Sequence, residues 1–195
     1  MSITLDQIKE LRDKTGAGVA DAKRALEESG GDVSGALRKL RERGLKLSRE
    51  RAEKIAGEGW IGSYVHQTGK VGVLVAVCCE TDFVSRSAAF QALVRDLALH
   101  IAAVNPLYLT KEQIPEEVVA QERSIAQEQL RTQGKPKAMW ENIIAGKIEK
   151  WYTDVCLLSQ PFVKDETKTV SDLLNEARTA LGEKIEIARF VRFAI

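Results

Sequence analysis

The chain has 195 residues, 44% of them apolar and 29% charged, and a formal net charge of +1. That composition is globular, long enough for one ordinary core plus a small accessory module, and it excludes disordered and fibrous classes. Near-neutral charge supplies no global field toward nucleic acid or an anionic membrane, and no apolar run approaches the roughly 18 residues of a membrane span.

Residues 1–44 read as three short helices. Thr4 with Gln7 forms a capping box, and Leu5, Ile8 and Leu11 then share one face until Gly16 and Gly18 interrupt. A second helix runs from Val19 to Glu28 and stops at Gly30-Gly31. A third starts at the N-cap Asp32, turns Val33, Ala36, Leu37 and Leu40 inward, and ends at Gly44. Such a bundle has a thin core and marginal stability alone. Residues 45–58 are a linker or a charged helix, with Lys46, Arg49, Arg51 and Lys54 set against Glu50, Glu53 and Glu58.

Gly59 to His66 and Lys70 to Cys79 read as a hairpin around Gln67-Thr68-Gly69. The second run is apolar at both parities, which predicts a strand covered on both faces. Three helices follow: Phe90 to Val104, Pro115 to about Thr132, and one from Pro136 through Ile148 to Leu158, broken or kinked near Gly146. Thr169 and Asp172 open another helix, which Gly182 ends. Lys184 to Ile195 alternates as a strand but changes parity between Ile187 and Phe190, so a bulge is expected there. The predicted class is α+β: a small, mostly antiparallel three-stranded sheet backed by helices. The expected division is 1–44, a charged linker 45–58, and a core domain 59–195.

Between the apolar run and the next helix lies Thr81-Asp82-Phe83-Val84, with Glu80 and Arg86 beside it. An aromatic on such a connection anchors a partner's pocket or pins the helix to the sheet; the residues alone leave both readings open. Chemistry is sparse elsewhere. His66 and His100 are far apart, no HExxH or Walker A pattern occurs, and the glycines of Thr15-Gly16-Ala17-Gly18 follow a helix rather than a strand. Cys78, Cys79 and Cys156 form neither a disulfide framework nor a zinc spacing, and such usage suits a reducing compartment. Asp6, Lys9 and Glu10 stand where a signal segment would be apolar. No metal, no cofactor, no catalytic residue and a cytoplasmic location are expected.

Two stretches, LRDKTGAGVADAKRAL (Leu11 to Leu26) and CETDFVSR (Cys79 to Arg86), resemble the signature segments of the elongation factor Ts family. GSYVH with KVGVLVAV, LALHIAAVNP, GKPKAMWENIIAGKI, QPFVKDETKTV and RFVRF resemble family segments in family order, across essentially the whole chain. The resemblance implies a non-enzymatic guanine-nucleotide exchange factor for elongation factor Tu, with a bundle resembling a ubiquitin-associated (UBA) domain at 1–44. It implies that Thr81, Asp82, Phe83 and Val84 press on the GTPase near its magnesium site and switch region. Thr15, Gly16, Ala17, Gly18, Val19, Ala20 and Lys23 would form a second docking area, with Arg51 at a basic position and His100 at a histidine position of the core helix. Many members carry two methionines where this chain has Val19 and Ala20, a stiffer and smaller pair. Resemblance to the short, single-core members implies a homodimer and a two-to-two complex.

Blander readings stand beside these. Lys23 and the stretch Arg38 to Lys54 are solvated faces by residue type, and the tryptophans are core or half-buried. Two rival functions are an adaptor for a ubiquitin-like protein or nucleic acid, and an enzyme built on Glu80 and Asp82. Low net charge weighs against nucleic acid, and no pocket signature supports the enzyme.

Overall fold

The computed structural model describes residues 3–15, 17–50 and 54–195, the side chains of 45–50 excepted. Gly16 and Arg51 lie outside the described residues. The chain forms two compact units, one of residues 1–102 with 171–195, the other of residues 103–170.

In the first unit, α1 (Leu5–Thr15), α2 (Val19–Glu28) and α3 (Val33–Glu50) make the expected bundle. The capping box forms: Thr4 N donates to Gln7 Oε1 at 2.9 Å and Gln7 N to Thr4 Oγ1 at 3.2 Å. Asp32 caps α3 through Ser34 N and Gly35 N, at 3.1 and 2.9 Å. Leu11, Ala17, Ala22, Ala25, Leu26, Ala36 and Leu40 form the core, with Ile8, Val33 and Leu37 packed against it. Leu5 corrects the expected face, since it is exposed at the first turn of α1.

Gly44 does not end α3, which runs on to Glu50. A glycine ends a helix by taking a left-handed conformation, and here it serves close approach instead. A Cβ at Gly44 would lie 2.6 Å from Thr179 Oγ1 and 2.9 Å from Asn175 O, both on α8 (Val170–Leu181).

The sheet has the order β1-β2-β5, from Glu58–Val65, Val71–Cys79 and Ile185–Ala194, and both pairings are antiparallel. The bulge falls at Ala188, because Ala76 faces Arg189 while Val77 faces Ile187. One face packs on α5 (Ala88–Val104): Val73, Val75, Val77 and Cys79 are buried there, and Gly62 sits so close to Val94 that a side chain would collide. Among the described residues of this unit the other face stays open, contrary to the both-parity reading of β2. Ile61, Leu74, Val191 and Phe193 are exposed on it. Trp60, on the edge strand, is 46% exposed, which corrects its expected burial.

In the second unit, α6 (Glu116–Thr132) packs on α7 (Trp140–Val155). Leu130, Ala126 and Ile148 are buried among its apolar residues. Helix α7 is unbroken at Gly146, where a Cβ would meet open space, so nothing forces the expected kink. A short ladder of β3 (Pro161–Phe162) and β4 (Asp165–Thr169) was not foreseen, since its strands are too short to show alternation.

Candidate functional site

Strand β2 ends at Cys79, and the chain enters a single helical turn, α4 (Asp82–Ser85), before α5 begins. Thr81 is extended and caps that turn, its Oγ1 accepting from Val84 N at 3.3 Å. Val84 and Ser85 face inward and are buried, and Ser85 Oγ donates to Asp82 O at 2.8 Å. Their burial rotates the neighbouring Phe83 outward, and its ring is 81% exposed. Asp82 faces solvent beside it, in an exposed pair with Arg86 at 3.4 Å. Pairs of this kind hold a side chain only weakly.

Hydrogen bonds from distant sequence fix this turn. Glu80 N and Thr81 N both donate to Glu183 Oε2 at 3.1 Å, and Thr81 Oγ1 donates to Glu183 Oε1 at 2.6 Å. Lys184 N donates to Glu80 Oε1 at 2.7 Å. Cys79 Sγ donates to Thr81 O at 3.2 Å. Burial, seconded by the charge of Glu183, pushes the Cys79 thiol up to about 11. It therefore stays a hydrogen-bond donor at neutral pH. The sequence puts Thr81 to Val84 on the connection between strand and helix, where they lie, but gives no sign of Glu183, which carries no local pattern.

The second predicted set lies where α1 meets α2. Thr15 is buried, with its hydroxyl donating to Leu11 O at 2.6 Å and accepting from Ala17 N at 3.2 Å. Ala17 is buried as well. Gly18 is the N-cap of α2, and Val19, Ala20 and Lys23 are exposed on that helix. Lys23 lies 3.8 Å from Glu27 in an exposed pair. His100 is fully enclosed in α5, so any effect it has on docking passes through the packing it supports. His66 is half-buried at a strand end, its Nδ1 3.1 Å from Tyr64 Oη. Among the described residues no group of three His, Cys, Asp or Glu side chains is arranged to hold a metal ion, and no helix is long and apolar enough to cross a membrane.

These features define an α+β protein that carries a helical bundle and presents an aromatic side chain on a braced turn. The family model described as elongation factor TS matches residues 5–195. Elongation factor Ts of Geobacter metallireducens is 50% identical over 195 residues, covering 100% of this chain and 90% of the relative. The protein of the same name from Rubrobacter xylanophilus is 48% identical, with 100% of both chains covered. That of Moorella thermoacetica is 47% identical over 193 residues, covering 99% of this chain and 95% of the relative. The chain belongs to the elongation factor Ts family, a family of translation elongation factors.

Proposed function

We propose that this chain is a guanine-nucleotide exchange factor that binds elongation factor Tu carrying GDP and promotes GDP release, leaving the GTPase free to take GTP. The observation that carries the proposal is the exposed Phe83 ring on α4, in a chain whose family membership spans residues 5–195. Asp82 and Phe83 intrude near the magnesium ion and switch region of the GTPase. The bundle of residues 1–44 docks elsewhere on the same nucleotide-binding domain through the Thr15–Ala20 turn and Lys23, with the buried Thr15 and Ala17 holding the exposed Gly18, Val19 and Ala20 in place, and 45–58 joins it to the core domain of 59–195. Arg51 belongs to the same docking area, and His100 supports the core helix.

Exchange of this kind needs no acid, base or nucleophile. The factor must bind the vacated or distorted GTPase better than the loaded one, and nucleotide and factor then weaken each other equally. A weakening of about 1,000-fold corresponds to roughly 4 kcal/mol of differential binding. Burying one phenylalanine contributes roughly 1.5–3 kcal/mol, so Phe83 supplies part and a wide interface supplies the rest. Asp82 adds an electrostatic component, since a carboxylate brought near a bound magnesium ion competes for its coordination.

The factor acts as a homodimer, giving a two-to-two complex in the cytoplasm. The uncovered sheet face supports this, because Ile61, Leu74, Val191 and Phe193 are exposed side by side on adjacent strands. A two-fold axis through that face would bury the same residues on both copies. The decisive experiment for exchange follows fluorescent GDP leaving purified elongation factor Tu. Acceleration by substoichiometric amounts of this chain is expected, and an unchanged rate at saturating amounts would refute the proposal.

A further inference from the structure

We infer that Glu183 is a positioning residue for nucleotide release, holding the Thr81–Val84 turn in the pose that docks; this rests on the exchange function proposed above. A four-residue helix cannot hold itself, because one turn fixes many dihedrals for few hydrogen bonds. The direction in which α4 presents Asp82 and Phe83 is therefore set by what anchors its ends. At the C-terminal side the anchors are the buried Val84 and Ser85. At the N-terminal side they converge on one carboxylate.

The backbone explains why a carboxylate is needed there. Cys79 is the last residue of β2 paired in the sheet, opposite Glu58 on one side and Ile185 on the other. The next two amides, of Glu80 and Thr81, have run past the ladder, and Glu183 Oε2 accepts both at 3.1 Å. Glu183 lies two residues before Ile185, where β5 begins, so its side chain extends the ladder beyond the strands. Its other oxygen accepts a hydrogen bond from the Thr81 hydroxyl at 2.6 Å. That choice of proton direction leaves a lone pair of the same hydroxyl for Val84 N at 3.3 Å. Glu183 thus sets the rotor that caps α4. The reciprocal bond from Lys184 N to Glu80 Oε1, 2.7 Å, fastens the two segments from the opposite side.

The test uses the full chain with Glu183→Ala, Glu183→Gln and Glu183→Asp, and Phe83→Ala as reference. Fluorescent GDP release from elongation factor Tu is measured over a range of factor concentrations, and amide hydrogen exchange is measured on each free variant. Glu183→Ala is expected to lower the maximal stimulated rate about tenfold while moving the half-saturating concentration less than about twofold, since the rest of the interface is intact. Amides 80–84 should exchange faster, with the rest of the sheet unchanged. Glu183→Gln keeps an oxygen for the two amides and reach to the Thr81 hydroxyl, and should stay within about threefold of wild type. Glu183→Asp keeps the charge but is one methylene short, and should behave like alanine. If Glu183→Ala fails to fold, the glutamine and aspartate pair decides the question.

A full rate for Glu183→Ala beside a slow Phe83→Ala overturns the brace and leaves the docking reading standing. Full rates for both remove the docking reading and the brace with it. An active aspartate variant beside an inactive glutamine variant overturns positioning, because charge would then be what matters.

Discussion

Phe83 and Cys79 sit four residues apart and face opposite worlds. The Phe83 ring is 81% exposed and contributes little to the core, so Phe83→Ala should leave the thermal midpoint within a few degrees of wild type. The same change should slow stimulated GDP release about tenfold to a hundredfold, from the burial lost in the complex. Stopped-flow GDP release and a melting curve on one preparation check both halves. Cys79 is buried, and its thiol is pushed from an ordinary 9.0 to about 11, by burial first and the charge of Glu183 second. Between those values the folded chain keeps a proton that the unfolded chain releases. The contribution of Cys79 to stability is therefore complete below pH 9 and falls as pH rises toward 11. Denaturant unfolding of wild type and Cys79→Ala across that window should show the gap between them narrowing as pH rises.

At the scale of elements, Gly44 gives a result whose sign depends on packing. Alanine in a helix interior ordinarily stabilises by about 1 kcal/mol relative to glycine. At Gly44 the new methyl would press on Thr179 Oγ1 and the Asn175 carbonyl, so Gly44→Ala should destabilise by about 1–3 kcal/mol. Urea unfolding would show the lower midpoint. Gly146→Ala, whose methyl meets open space, should show the ordinary stabilisation. Neither glycine's surroundings can be read from its adjacent residues, so the structure corrects both the helix end expected at Gly44 and the kink expected near Gly146. Local grammar was legible where the partner lies within a few residues: the Thr4–Gln7 box, the Asp32 cap and the parity change at Ala188 all form. Glu183 was not legible, since its partners Glu80 and Thr81 lie more than a hundred residues away. Nor was the bare face of β2. An apolar run at both parities says that both faces seek cover without saying whose atoms provide it.

For the molecule as a whole, that face yields a prediction about assembly. Leu74→Glu places a charge at its centre, opposite Val191 and Ser63. Light scattering should then give half the wild-type mass, while circular dichroism keeps its helix and strand content. A wild-type mass matching one chain would dismiss the two-fold assembly. The strand order carries another consequence. Strand β2 occupies the middle of the sheet, yet its neighbour β5 begins more than a hundred residues further along the chain. Throughout synthesis of the intervening hundred residues, the central strand keeps one raw edge, of the sort that recruits stray chains. The same late arrival brings Glu183, so a nascent chain braces the Thr81–Val84 turn only after those intervening residues have been made.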